Sequence, residues 1–577
     1  VRNRTEAIAA LRAATAAQPV LIVGGGINGI GLFRDLSLQG VPAVLVDKGD
    51  FASGTSAAPS RLIHGGLRYL ETGEFALVRE SVIERNHLVR NAHHLVKPLP
   101  VWVPAFSWFG GLFSAGLRFL KLKKTPGAKG IAVVKLGLVF FDRFGRATSA
   151  MPGHRIVSRG ELRTRMPGLS QRIKAVAEYY DARLTHPERL ALELIKDAER
   201  DCPASIAVPY MALAGSDGDQ VILRDEVSAE EVALRPRLVI NCAGPWADEA
   251  NRKLGIDGQL IGGTRGSHIV LHRPDIARQL GDGMLYFETR DFRACLVYAL
   301  DAGHVLLGTT DIRTSDPDTV RCSDEEIDYL FDVLEQVMPG AAARREEIVF
   351  TYAGVRPLPY SGEGTTGAIS RDHFLRDFEP DGNRRFPVLA LVGGKWTTYR
   401  ACAEQIANTV LARLGLNRQC STLDVPIGGS AGLDNDAQKR LTFIRRLMAR
   451  HDLDEAACTV LVERYGSQAD DVARHVAADG GETVDEASLY RAGEIRWIVA
   501  EERVTRLSDI VLRRTLMPFE NAITRASLDA IARIAADALG WDRQRHKAEI
   551  AATVAALDER YRVELPPVPA ALRSNAS

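Results

Sequence analysis

The sequence predicts an α/β protein, α+β overall, with a doubly wound nucleotide-type domain in front and an all-helical domain behind. Three observations predict it. An apolar strand, Val20 to Val23, runs into Gly24-Gly25-Gly26 and then into a helical pattern over 27–39, which is the strand–turn–helix opening of a nucleotide-binding unit. Short apolar strands recur at 43–46, 238–242, 268–272, 295–300, 304–308 and 387–392. From Asp434 to Leu557 the chain is Ala/Arg/Glu-rich, with helical periodicity and few strand signals.

The other elements follow in order. Residues 5–15 read as a short Ala/Leu-rich helix and 75–91 as a charged amphipathic one. From Val101 to Phe144 the chain carries exposed-looking aromatics beside Arg118, Lys121, Lys123 and Lys124, and then an apolar helix over 131–141. Such a segment suits either a lipid interface or an active-site cap. Helices are predicted at 184–198 and, after Gly393-Gly394, at 396–413. The tail from Pro566 is Pro/Ala/Ser-rich and reads as loose.

Composition bounds the function. The 577 residues suffice for about three or four structural units. Apolar residues at 46% and charged residues at 25% are those of an ordinary globular protein. Lys+Arg and Asp+Glu both number 73, so the net charge is zero and nucleic acid is a poor partner. The seven cysteines include no C-x-x-C pair, which argues against a metal knuckle and for a reducing compartment. No uncharged apolar run reaches the roughly 18 residues of a spanning helix, so any membrane contact is peripheral.

Gly24, Gly26 and Gly29 satisfy G-x-G-x-x-G. The first makes the tight turn, the second lets backbone approach a pyrophosphate, and the third lets helix and strand pack closely. The helix N-terminus then offers N–H groups to the phosphates. Asp47 follows Gly24 by 23 positions, the spacing of a carboxylate that grips a ribose hydroxyl. The motif alone does not separate NAD from FAD.

The blocks beyond it make that choice. KGDFASGTS at 48–56, LIHGGLRYLE at 62–71 and FALVRESVIERNHLV at 75–89 are followed in order by YYDARL, NCAGPWADE, GSHIV, LGTTD, GVRPL, ISRDH at 369–373 and GGKWTTYR at 393–400. RYGS at 464–467 and LSDIVLRRT at 507–515 continue the series. The chain resembles the FAD-dependent, quinone-linked (aerobic) glycerol-3-phosphate dehydrogenases, colinearly from residue 5 to about 520. It departs from them at Ala57-Ala58-Pro59, at Arg61 where Lys is common, in a longer 106–130 segment, and at Phe-Phe-Asp 140–142.

The resemblance implies a Rossmann-like FAD-binding domain of the glucose/amino-acid oxidoreductase type, an interleaved antiparallel-sheet substrate domain and the all-helical C-terminal domain. The expected division is an N-terminal helix (1–17), FAD-binding parts at 18–100, 151–265 and 353–415, a cap or membrane-contact segment (101–150), a substrate sheet (266–352), the helical domain (416–560) and a tail (561–577). The activity implied is oxidation of sn-glycerol 3-phosphate to dihydroxyacetone phosphate, with hydride passing from C2 to flavin N5 and electrons passing to a membrane quinone. A cytoplasmic location follows, free or peripheral on the inner face of the membrane, and a homodimer is an option.

The same resemblance assigns residues. His64, Arg356 and Lys395 are the catalytic candidates. His64 is the candidate base, and a histidine that only bonds the flavin is the alternative. Arg356 and Arg371 form a phosphate clamp, since a guanidinium fork suits phosphate oxygens; Arg61 and His268 join them at the substrate. Expected cofactor contacts are Gly24, Gly26, Asn28, Gly29, Asp47, Lys48, Gly54, Thr55, Ser56, Ser60, Leu62, His64, Gly65, Gly244, Gly394, Lys395 and Thr397. The helix after Gly394 aims its N-terminus at the flavin, with Thr397 and Thr398 as expected caps. Cys242 reads as a small buried apolar residue. Three rival functions are carried: an oxygen-using glycerophosphate oxidase, an amino-acid-oxidase-like enzyme on another small anion, and a flavoprotein that senses or scaffolds without turnover.

Overall fold

The computed structural model describes residues 2–14, 18–67, 74–107, 131–145, 151–289, 293–361, 372–485 and 488–565. Its first layer is a six-stranded sheet in the order Phe374–Phe378, Val388–Val392, Leu238–Asn241, Val20–Val23, Ala43–Val46, Ile206–Val208. All neighbours are parallel except the antiparallel edge strand Phe374–Phe378. Val20–Val23 lies in the middle, pairing Val20 with Leu238 on one side and with Ala43 on the other. Every residue of its VLIV run is buried, as a parallel strand covered on both faces requires.

Helices Ile27–Leu38, Pro187–Asp201 and Tyr399–Leu414 cover one face, through Phe33, Leu36, Leu194 and Ile406 among others. The opposite face carries the antiparallel meander Met211–Asp217, Gln220–Asp225, Glu231–Leu234 and the N-terminal helix Arg4–Ala13, which inserts Ala7 and Leu11.

The second layer is a mixed, mainly antiparallel ten-stranded sheet. At its heart Val96–Ala105 pairs along its full length with Ala175–Leu184. This corrects the expected segment boundary at 101. Val101 is mid-strand, and the Trp102 ring is 1% exposed with its Nε1 donating to Glu178 at 2.8 Å. Strand pairing, not a lipid surface, accounts for 101–105. Phe106, just past the strand, is exposed, as is Val139 on the following helix Ile131–Gly145; Arg118, Lys121, Lys123 and Lys124 lie outside the described residues. No helix among the described residues is long and apolar enough to cross a membrane.

Two predicted helices begin later than expected, each for a local reason. Leu184 ends a strand, and the next helix opens at Pro187, whose fixed φ suits the first helical position. The helix expected from 396 is Tyr399–Leu414, because Gly393 and Gly394 hold a left-handed corner at φ +87° and +103°. Thr398 takes the cap position but makes no side-chain cap bond.

The C-terminal helices, from Ala437–His451 to Arg543–Tyr561, do not stand apart. Phe519 packs 4.3 Å from Phe350 of the second sheet, and Tyr561 stacks on Phe350 at 5.0 Å between ring centroids.

The strand-to-helix turn tolerates no side chain at its third glycine. A Cβ on Gly29 would lie 2.0 Å from the Gly24 carbonyl oxygen, a backbone atom. Gly29→Ala is therefore expected to force the helix off the strand and destabilise the protein by about 1–3 kcal/mol. A thermal unfolding midpoint unchanged from wild type would contradict this.

Candidate active site

A cavity of about 1650 Å³ runs from the glycine turn to the face of the second sheet. At its first end lie Gly24, Gly26 and Asn28. Asp47 closes the second strand beside them. Its two oxygens accept from the Gly25 N–H at 2.7 Å and the Gly49 N–H at 2.8 Å, tying the turn to the loop after it. Burial pushes its carboxyl up to about 6 although both bonds favour the anion. A carboxylate has lone pairs beyond these two bonds, so the expected ribose contact fits. Gly244, at φ +59°, faces the same end.

The loop 48–60 forms one wall. Lys48 pairs with Asp318 at 3.0 Å and lies 4.5 Å from the Trp246 ring centre, while Trp246 Nε1 also donates to Asp318 at 3.0 Å. This bridge joins three distant segments at the cavity rim; Trp246 lies within the NCAGPWADE block, whereas Asp318 falls in none of the blocks read from the sequence. Gly54 also lines the wall. Thr55 Oγ1 donates to the Val355 carbonyl at 2.6 Å, and Ser56 Oγ accepts from the Ile27 N–H at 3.0 Å. The loop is thereby stitched to the second sheet and to the first turn of the helix Ile27–Leu38.

Further along, the two glycine corners meet. A Cβ on Gly394 would lie 2.4 Å from Asn28 Nδ2. Asn28 Oδ1 is buried with no hydrogen-bond partner among the described residues. Leu62, His64, Lys395 and Thr397 line the cavity here, and the His64 N–H donates to Thr397 Oγ1 at 3.1 Å. Thr397 thus fixes the His64 backbone rather than capping a helix.

At the far end stand His268, Thr309, Asp311 and Arg356, with Tyr286, Glu288 and Arg293 nearby, which the sequence reading missed. Ser60 Oγ and His268 Nε2 share a hydrogen bond of 2.8 Å, and His268 stacks on Tyr352 at 4.8 Å. Burial, followed by the Arg356 charge, drives His268 down to about 3. The Arg356 guanidinium lies so close over Gly266 that a Cβ there would sit 2.1 Å from its Nη2. It donates to Asp311 Oδ1 at 3.3 Å and to Thr309 Oγ1 at 3.2 Å. These long bonds on a partly exposed cation leave it oriented toward the cavity by the glycine floor behind it.

Three expected contacts are corrected. Arg61 does not line the cavity: with φ at +55°, it turns away from its neighbours Ser60 and Leu62, donates to the Thr185 carbonyl at 2.6 Å and lies 4.0 Å over the Phe519 ring. Gly65 is buried behind the wall, its N–H bonded to Asp181 Oδ1 at 2.8 Å and its Cα against Phe141. Gly29 serves strand–helix packing, not the cavity surface. Arg371 lies outside the described residues. Cys242 is buried, as expected, and burial raises its thiol.

The lining fits FAD. The glycine turn, Asp47, the orphaned Asn28 oxygen and the Gly394 corner lie in sequence along one elongated cavity, matching an extended dinucleotide with its phosphates at a helix N-terminus.

Comparison with known proteins agrees. Residues 19–408 match the family described as FAD dependent oxidoreductase, and 420–546 match the C-terminal domain of alpha-glycerophosphate oxidase. A glycerol-3-phosphate dehydrogenase of Synechocystis sp. is 32% identical over 92% of this chain and 94% of its own. A D-erythritol 1-phosphate dehydrogenase of Brucella abortus is 29% identical over 86% of this chain and 93% of its own. The structure of a Bacillus halodurans glycerol-3-phosphate dehydrogenase complexed with FAD superposes with a TM-score of 0.75, covering 98% of this chain and 100% of that one at 22% identity. The fold is shared throughout.

The depressed pKa of His268 makes a pH prediction. Its folded value, about 3, lies below the ordinary 6.5, so the unfolded chain takes up the proton first. The stability this neutral ring contributes is complete above about 6.5 and is lost as pH falls toward 3. In NMR of the labelled protein the His268 ring should show no protonation between about pH 5 and 8; a midpoint near the ordinary value would refute it.

Proposed function

We propose, from the premise that this chain belongs to the FAD-dependent oxidoreductase family, that it oxidises sn-glycerol 3-phosphate to dihydroxyacetone phosphate and passes the electrons to a membrane quinone. The observation that carries the reading is one cavity with a dinucleotide turn at one end and a glycine-backed arginine at the other.

Bound FAD supplies the acceptor for the hydride leaving C2 of the substrate. The chain's residues do the rest. Arg356 holds the phosphate by charge-assisted hydrogen bonds, and Arg371 is assigned as its second arm. His268, kept neutral by burial, adds a hydrogen bond without repelling Arg356. His64 takes the proton of the C2 hydroxyl on its imidazole; its backbone is pinned by Thr397, so the ring is presented at a fixed depth. Lys395 brings positive charge to the Gly394 corner, where negative charge builds as the substrate is oxidised.

A quinone acceptor requires only peripheral membrane contact, in keeping with the absence of a crossing helix among the described residues. The similarity to a D-erythritol 1-phosphate dehydrogenase keeps a longer polyol phosphate as the second substrate reading, its phosphate held by Arg356 in the same way.

Anaerobic addition of glycerol 3-phosphate to the purified holoprotein should bleach the visible flavin bands. Intact FAD without bleaching would favour a sensor. Bleaching by D-erythritol 1-phosphate alone would transfer the activity to the longer polyol. Reoxidation by a quinone analogue should outrun reoxidation by oxygen; the reverse order would mark an oxidase. Arg356→Ala is expected to raise KM for glycerol 3-phosphate about 10- to 100-fold with FAD content unchanged, and equal loss of both would make the residue structural.

A further inference from the structure

The helical C-terminal unit has no place in the chemistry so far, yet it grips the loop that walls the cavity. Asp50 follows Asp47, Lys48 and Gly49, which line the cavity, but is itself 1% exposed and outside the lining. Arg514 takes it bidentately, Nη1 donating to Oδ2 at 2.5 Å and Nη2 to Oδ1 at 2.9 Å. Arg513 adds Nε to Oδ2 at 2.6 Å and reaches Asp509 Oδ1 at 2.5 Å. Both arginines come from one π-helical turn, Ile510–Arg514, a form concentrated at functional sites. Burial alone would push Asp50 up; Arg514 and Arg513 hold it below the ordinary carboxylate value.

Within two residues of Asp50 the loop meets the glycine turn. Phe51, whose N–H donates to Asp50 Oδ1 at 2.9 Å, packs so close to Gly25 that a Cβ there would lie 2.6 Å from its ring. The Ala52 N–H donates to the Gly25 carbonyl at 2.8 Å. On the other side Tyr210 donates its N–H to the Gly49 carbonyl at 2.8 Å and its hydroxyl to Asp509 at 2.5 Å. The loop's far end rests on the same unit through Arg61 over Phe519.

We propose that the C-terminal unit positions the cofactor loop through Asp50, clamped by Arg513 and Arg514, so that FAD affinity depends on a charge cluster lying outside the cavity. Asp50, Arg513 and Arg514 are positioning residues: they set where the Gly25 and Asp47 backbone stands and touch no reacting atom. The inference rests on FAD occupying the glycine turn.

A second interdomain ion pair supplies the control. Arg503 pairs with Glu199, both buried, and also donates to the Ala207 carbonyl at 2.5 Å. It ties the C-terminal unit to the sheet edge Ile206–Val208 without reaching the loop. The test measures FAD release from diluted holoenzyme by the recovery of flavin fluorescence, together with thermal unfolding, for Asp50→Asn, Arg513→Gln, Arg513→Lys and Arg503→Gln. Asp50→Asn and Arg513→Gln should raise the FAD dissociation constant at least about tenfold. Arg513→Lys, which keeps the charge, should recover much of that loss. Arg503→Gln should lower the unfolding midpoint while changing the FAD constant less than about twofold. With FAD saturating, KM for glycerol 3-phosphate should stay at the wild-type value in all four. Equal effects of Asp50→Asn and Arg503→Gln on the FAD constant would overturn the proposal, as would no effect of Asp50→Asn. If Asp50→Asn does not fold, Arg513→Lys against Arg513→Gln decides, and equal FAD constants there count against it. Wild-type protein that carries no FAD would instead remove the reading of the cavity itself.

Discussion

Two glycine corners touch across this cavity, and the site takes its dimensions from that contact. Asn28 stands in the first turn of the helix that begins at Ile27; Gly394 leaves no space between its Cα and the Asn28 amide. The distance from the phosphate-binding turn to the Gly394-Lys395 corner is therefore a property of packed backbone. His64 then takes its depth from Thr397, two residues past Lys395. A flexible connection at this point would let the redox end drift relative to the turn that holds the nucleotide, and orientation at the ångström level is what such catalysis requires.

Charge is handled in two ways on either side of the cavity wall. Inside, burial works against charge: His268 is pushed to about 3 and stays neutral beside Arg356, while Asp47 at the nucleotide end is raised to about 6. Behind the wall, charges are paired: Asp50 with Arg513 and Arg514, and Arg189 with Glu502 at 2.5 Å. Buried pairs of this kind add little net stability, yet removing one partner is expensive, so they set position more than they add strength. The arrangement separates a chamber that selects an anion from a scaffold that fixes its walls.

The sequence determined much of this molecule by itself. The strand–glycine–helix opening, the Asp47 spacing, the apolar strands at 43–46 and 387–392 and the helical character after 434 are local patterns, and local patterns survive without knowledge of the partners. His64, Arg356 and Lys395 were reached through motifs, and all three line the cavity. Arg61 is the exception: it sits between Ser60 and Leu62 at φ +55°, a left-handed conformation that no local pattern announces for a non-glycine residue and that turns its side chain away from the cavity. Val101 to Ala105 looked surface-bound because its strand partner, Ala175–Leu184, lies some seventy positions away.

What only the tertiary structure decided is which distant residues share a place. Asp50 and Arg514 are separated by 464 positions, and Lys48, Trp246 and Asp318 meet from three segments. Propensity and periodicity act over a few residues, whereas a buried ion pair forms only where the folded chain brings both groups out of water together. For that reason the nucleotide turn could be read from a dozen letters, while the role of the helical unit in holding it emerged only when both were placed in space.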